Sequence, residues 1–107
     1  MAVKLRVKRP DPILREVVNA LDDYAKRHAS AEIEAYRQNS VSVRVRILNP
    51  AFAGLSRADR EEEVWSVLDK LPAEAVSEIS LLLLLTPDEA RSSFASIEFD
   101  DPIPSKI

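Results

Sequence analysis

From Ile13 to His28 the apolar side chains recur at intervals of three and four; from Ile33 to Ile47 they recur at intervals of two. No single element serves both periods, because a helix turns once in about 3.6 residues and a strand repeats every two. The chain is therefore committed to a helix followed by strands, with one apolar face laid on the other. Ile13, Leu14, Val17, Val18, Leu21, Tyr24, Ala25 and His28 form the helical stripe, which runs to about Ala29. Asp11-Pro12 supplies its start, an N-cap carboxylate followed by proline at the first helical position. In the period-two segment Ile33 and Ala35 alternate with Glu34 and Tyr36, and Arg37-Gln38-Asn39-Ser40 reads as a turn. Val41, Val43, Val45 and Ile47 then alternate with Ser42, Arg44 and Arg46, β-branched on one face and polar on the other. This is the clearest strand in the chain, and the two strands pair as an antiparallel hairpin ended by Asn49-Pro50.

The remaining elements follow from local signals. With Gly54 as the only glycine, turns rest on Pro, Asn, Asp and Ser. Ser56 and Asp59 open a second helix as a variant capping box, with Val64, Trp65, Leu68 and Leu71 inward and Pro72 as its stop. Ile79 to Leu85 is nearly all leucine and is expected to be a strand buried on both faces. At a sheet edge, the same strand would invite a partner strand or a second copy. Thr86-Pro87-Asp88-Glu89 is a full helix start, giving a short helix through Phe94. Val3, Leu5 and Val7 alternate with Lys4, Arg6 and Lys8, a pattern open to a short edge strand or a frayed terminus. The expected organisation is a basic arm over residues 1–10, one α+β domain over 11–97 and an acidic, proline-containing tail over 98–107. The expected sheet has three strands in a mixed arrangement, with helices on one face, in the order α-β-β-α-β-α.

Length and chemistry narrow the function. A chain of 107 residues holds one core. It has no cysteine, which removes disulfides, thiolate catalysis and cysteine-ligated metals. No nucleophilic triad, phosphate-binding loop or zinc spacing occurs, so no enzymatic role is expected. No apolar run is long enough for a membrane span, and none follows the basic start as a secretory signal would require, so the expected location is cytoplasmic. The whole chain carries −3 and residues 1–9 carry +4, which leaves −7 on the remainder. An acidic body of this kind opposes strong binding to phosphate.

The alternating strand Val41 to Ile47, the loop Ala51-Phe52-Ala53-Gly54-Leu55-Ser56, the helix bearing Arg57, Arg60, Val64 and Leu68, and the apolar strand ending in Thr86-Pro87-x-Glu89 together resemble the BolA-like family. The resemblance covers about half the chain and implies a fold like a type II KH domain. In that family a histidine at the start of the last strand ligates an iron–sulfur cluster shared with a monothiol glutaredoxin. A second His or Cys precedes the second hairpin strand. Here those positions read Glu78 and Arg37, Gln38 or Asn39, and the family's Arg-His-Arg triplet reads Arg60-Glu61-Glu62. Carboxylate and amide oxygens replace imidazole and thiolate poorly on such clusters, so no cofactor is expected.

The expected function is a non-enzymatic interaction or regulatory module that binds a protein partner, with Glu61, Glu62 and Glu78 as candidate partner-surface residues. One alternative is a nucleic-acid-binding regulator using Lys4, Arg6, Lys8, Arg9, Arg37, Arg44 and Arg46. The other is an accessory in iron–sulfur cluster trafficking that binds a glutaredoxin. The lone His28 is read as structural, since no second histidine or cysteine accompanies it, and Trp65 as a core residue.

Overall fold

The computed structural model describes residues 3–5 and 11–102. Its elements are β1 (Val3–Leu5), α1 (Pro12–Arg27), β2 (Glu32–Asn39), β3 (Ser42–Leu48), α2 (Arg57–Leu68), α3 (Ala73–Glu78), β4 (Ile79–Leu85), α4 (Pro87–Ser92) and α5 (Phe94–Asp100), with one 3-10 turn at Pro50–Phe52. The mixed α+β class holds. The sheet runs β1-β2-β3-β4, with β1 parallel to β2, β2 antiparallel to β3 and β3 parallel to β4.

Local chemistry explains the element starts. The Asp11 carboxylate accepts the Leu14 N–H at 2.9 Å and Ser56 Oγ accepts the Asp59 N–H at 3.1 Å. Thr86 and Glu89 close a reciprocal capping box, at 3.1 and 2.9 Å. Each satisfies a backbone donor that a helix N-terminus leaves orphaned. On α1 the expected stripe is buried from Leu14 through Ala25. It meets Ile33 and Ala35 of β2, Val43, Val45 and Ile47 of β3, and Val64, Val67 and Leu68 of α2. Full burial of each aliphatic side chain contributes about 1.5–3 kcal/mol, so this layer dominates stability.

Several expectations need correction. The sheet has four strands rather than three, because β1 adds to the outer side of β2 in register Val3↔Ile33 and buries Val3. The helices do not all lie on one face. Helix α5 lies against the reverse side, where Phe99, itself fully buried, meets Tyr36 edge-on at 4.8 Å between ring centroids. The segment before β4, to which the sequence reading assigns no element, forms α3 and buries Ala75. The last helix breaks at Ser93, which caps a new one through the Ser96 N–H at 3.2 Å. Glu98, Phe99 and Asp100 thus belong to α5 and not to a trailing segment.

Strand β4 is not buried on both faces. It is an edge strand in which Leu84 alone is buried and Leu81, Leu82, Leu83 and Leu85 are half-exposed. The Asn49 N–H donates to the Leu85 carbonyl at 2.9 Å, so Leu85 turns its backbone toward β3. Successive residues of a strand turn opposite ways, so Leu84 and Leu82 direct their N–H and C=O groups off the sheet. The Leu84 carbonyl accepts from Arg60 Nη1 at 2.9 Å, as that geometry requires.

Candidate functional site

Three clusters of polar side chains stand out, each built by elements far apart in the chain. The first joins the N-cap of α1, the end of β2 and the end of α3. Arg37 donates from Nε to Asp11 Oδ2 at 2.6 Å, from Nη2 to Asp11 Oδ1 at 3.1 Å and from Nη1 to Glu78 Oε1 at 2.7 Å. It also closes the hairpin turn through the carbonyls of Asn39 and Ser40, at 3.3 and 3.1 Å. The hydrogen bond from Arg37 lowers the Asp11 carboxyl to about 2. The same bond raises the Arg37 guanidinium further, against the opposing effect of burial. The cluster floors a depression of about 540 Å³ that Glu16 and Glu74 also line.

The structure therefore brings Glu78 together with Arg37, one of the three residues, Arg37, Gln38 and Asn39, among which the resemblance places the second cluster ligand. What meets there is an ion pair. A guanidinium seated against both carboxylates repels iron, and oxygen donors suit sulfur-bridged iron poorly. The residues present do not fit an iron–sulfur cluster. Among the described residues no group of three or more His, Asp or Glu is arranged to hold a metal ion.

The second cluster is the arginine strip on the reverse face of the hairpin. It is not an open platform, because α5 covers it. Arg44 Nη1 meets Glu98 at 2.7 Å and the Tyr36 hydroxyl at 3.2 Å, and its Nε meets Gln38 at 3.0 Å. Burial alone would pull Arg44 down; its bonds to Glu98 and Tyr36 more than offset this and raise it. Arg46 pairs with Asp100 at 2.8 Å and Glu34 at 3.3 Å, donates to Ser96 Oγ at 3.0 Å, and lies over the Phe99 ring at 4.6 Å. Tyr36 donates to the Phe99 carbonyl at 2.9 Å. Lys4 is exposed on β1, whereas Arg6, Lys8 and Arg9 lie outside the described residues. Among the described residues, Arg37 belongs to the first cluster, and Arg44 and Arg46 are engaged by α5.

The third cluster closes one end of β4. Arg60, only 8% exposed, donates to the carbonyls of Leu55 and Leu84 and grips both oxygens of Glu89, at 2.6 and 3.0 Å. That grip is the main reason Glu89 falls to about 2. Next to it, a groove of about 420 Å³ runs along Leu81 to Leu85, with Arg57 and Glu61 of α2 on one wall and Ala95 of α5 on the other. Glu62 is exposed beyond it. The sequence reading names Arg60 only through the family resemblance and assigns it no partner, although its spacing of four from Val64 places it on the buried stripe. A charged residue on such a stripe signals a partner waiting elsewhere.

His28 stacks on Tyr24 at 4.1 Å and approaches Glu63 at 3.4 Å. The Tyr24 hydroxyl donates to Glu63 at 3.3 Å and accepts from Asn49 at 3.0 Å, and burial pushes it up to about 12. These groups lock the end of α1 to α2. Comparison of the chain with protein-family models, with curated proteins and with solved structures finds no match.

Proposed function

We propose that this protein is a non-enzymatic interaction module with a BolA-like, KH type II-like fold, which engages a protein partner by adding the partner's strand to β4. The family reading is supported by the Gly54-to-Ser56 loop that opens α2 and by the capping box that follows β4. The observation that carries the function is the edge itself. Natural sheets blunt their edges with charge, proline, a bulge or a very short strand. β1, at the opposite edge, is three residues long, whereas β4 has seven with no charge and no proline. Its one irregularity lies at the start, between Val43 and Arg44 of its neighbour. An extended apolar segment fits the groove, with main-chain bonds giving affinity and the leucines giving specificity.

The test uses the intact chain, which has no thiol of its own. Leu83→Lys should abolish capture of a partner that the parent retains, whereas Glu74→Lys, on the far depression, should not. A crosslinker on a cysteine introduced at Ser80 should reach the same partner. Capture indifferent to Leu83→Lys, or crosslinking only from a cysteine at Glu74, would place the interface elsewhere.

A further inference from the structure

Helix α5 is seven residues long and joins the sheet mainly through charge and one ring. It turns Phe94 and Ile97 outward, 80% and 56% exposed. Phe99 is the one large apolar side chain that it turns inward, and beside it the helix lays the Glu98 carboxylate, rather than a further apolar group, on the sheet. What α5 presents to the sheet has a recognisable chemistry. The Glu98 and Asp100 carboxylates sit against Arg44 and Arg46 at 2.7 and 2.8 Å, as phosphate oxygens would. The Phe99 ring lies under the Arg46 guanidinium and edge-on to Tyr36, as a nucleobase would. Ser96 Oγ accepts from Arg46 Nη1 and the Phe99 carbonyl accepts from the Tyr36 hydroxyl, while Arg46 Nη2 also meets Glu34 of β2 at 3.3 Å. Anionic groups flanking an aromatic ring, laid along a strand that alternates arginine, describe a short stretch of single-stranded nucleic acid.

We propose that the reverse face of the β2–β3 hairpin is a binding site for single-stranded nucleic acid, and that α5 is its intramolecular mimic, which occupies the site until displaced. Tyr36 and Arg46 stack a base in the place of Phe99, and Arg44 and Arg46 take the phosphates in the places of Glu98 and Asp100. Duplex is excluded, because its bases are already stacked and its edges do not reach the face. The acidic body and the covering helix together keep the intact chain closed.

The experiment measures binding of a fluorescent oligouridylate, and of a duplex of equal length, to the full chain at low salt. The double variant Glu98→Gln/Asp100→Asn removes both mimic charges while leaving Arg44 and Arg46 in place. Asp23→Asn/Asp69→Asn, on exposed positions of α1 and at the end of α2, changes net charge equally at a distance and serves as the control. The mimic variant should bind the single strand at least ten-fold tighter than parent and control. Adding Arg44→Ser and Arg46→Ser should abolish the gain. Equal affinity of mimic variant and control, or equal affinity for duplex, would overturn the proposal. Loss of the native circular dichroism spectrum, in the double variant or in Glu98→Gln alone, would overturn it as well, since α5 would then be a permanent part of the fold.

Discussion

Replacing Arg37 with methionine tests the cluster that ties α1, β2 and α3 together. Methionine keeps the side chain's length and removes its charge, leaving two carboxylates without their cation. The depression of Asp11 from 3.8 to about 2 corresponds to roughly 2.4 kcal/mol at ~1.36 kcal/mol per unit. The Asp11 side chain is 38% exposed, so solvent screening reduces that to about 1 kcal/mol. Glu78, 18% exposed, adds about 1 kcal/mol when left half-buried and unpaired. The lost bonds to the turn carbonyls of Asn39 and Ser40 add about 0.5–1 kcal/mol more. The total is about 2.5–3 kcal/mol at pH 7, a large share of the ~5–15 kcal/mol such a domain has. The sign of the pH dependence follows from the depressed carboxyl. Its contribution is fully present above the unfolded value near 3.8 and is lost as pH falls through about 2. Urea melts followed by Trp65 fluorescence should therefore show the cost of Arg37→Met shrinking by up to about 1 kcal/mol between pH 7 and pH 2, as the Asp11 contribution is lost. A cost that stayed the same at both pH values would assign the effect to packing. A cost below about 0.5 kcal/mol at pH 7 would mean that the cluster adds nothing.

Tyr24→Phe should cost about 1–3 kcal/mol, because Asn49, 1% exposed, loses its acceptor; alkaline spectrophotometric titration should lose the tyrosine phase near 12. Trp65 is half-buried against the core and not enclosed by it, so Trp65→Ala should cost about 1.5–3 kcal/mol in a denaturant melt, short of the ~3–5 kcal/mol of a fully buried tryptophan. Gly54 has φ +82° with no atom within 4 Å of an added Cβ; Gly54→Ala should cost about 1–2 kcal/mol from backbone strain alone, seen as a lower thermal midpoint with unchanged spectra.

What the sequence made legible was local. Asp11-Pro12, Ser56 and Thr86-Pro87-x-Glu89 declare helix starts because capping is completed within three residues. The α1 stripe and the Val43-Val45-Ile47 alternation declare themselves through period. What stayed illegible depends on pairings distant in the chain. Three residues at β1 become a strand because Val3 finds Ile33, and nothing in Val3–Leu5 alone distinguishes that from fraying. Arg37 read as a turn residue because its partners, Asp11 and Glu78, lie 26 and 41 positions away. Arg44 and Arg46 read as an exposed strip because alternation fixes which face a side chain takes, and leaves open what covers that face. Trp65 adjoins the α2 stripe, and the larger share of that stripe goes to Val64, Val67 and Leu68.

The same pairings determine where this fold has anything left to offer a partner. One face of the sheet is closed by α1 and α2 and the other by α5 over Tyr36. The β1 edge is blunted by its length. Along β4, Arg60 caps the outward carbonyl of Leu84, and Glu89 holds Arg60 in that position. Outward backbone therefore stays open chiefly around Leu82, with Leu81 and Leu83 flanking it on the α5 side. A docking strand that extended as far as Leu85 would have to displace a buried guanidinium with four hydrogen bonds to carbonyls and a carboxylate, whereas no described side chain holds the outward backbone at Leu82. That asymmetry makes Leu83, and not Leu85, the position at which a lysine interrogates the edge.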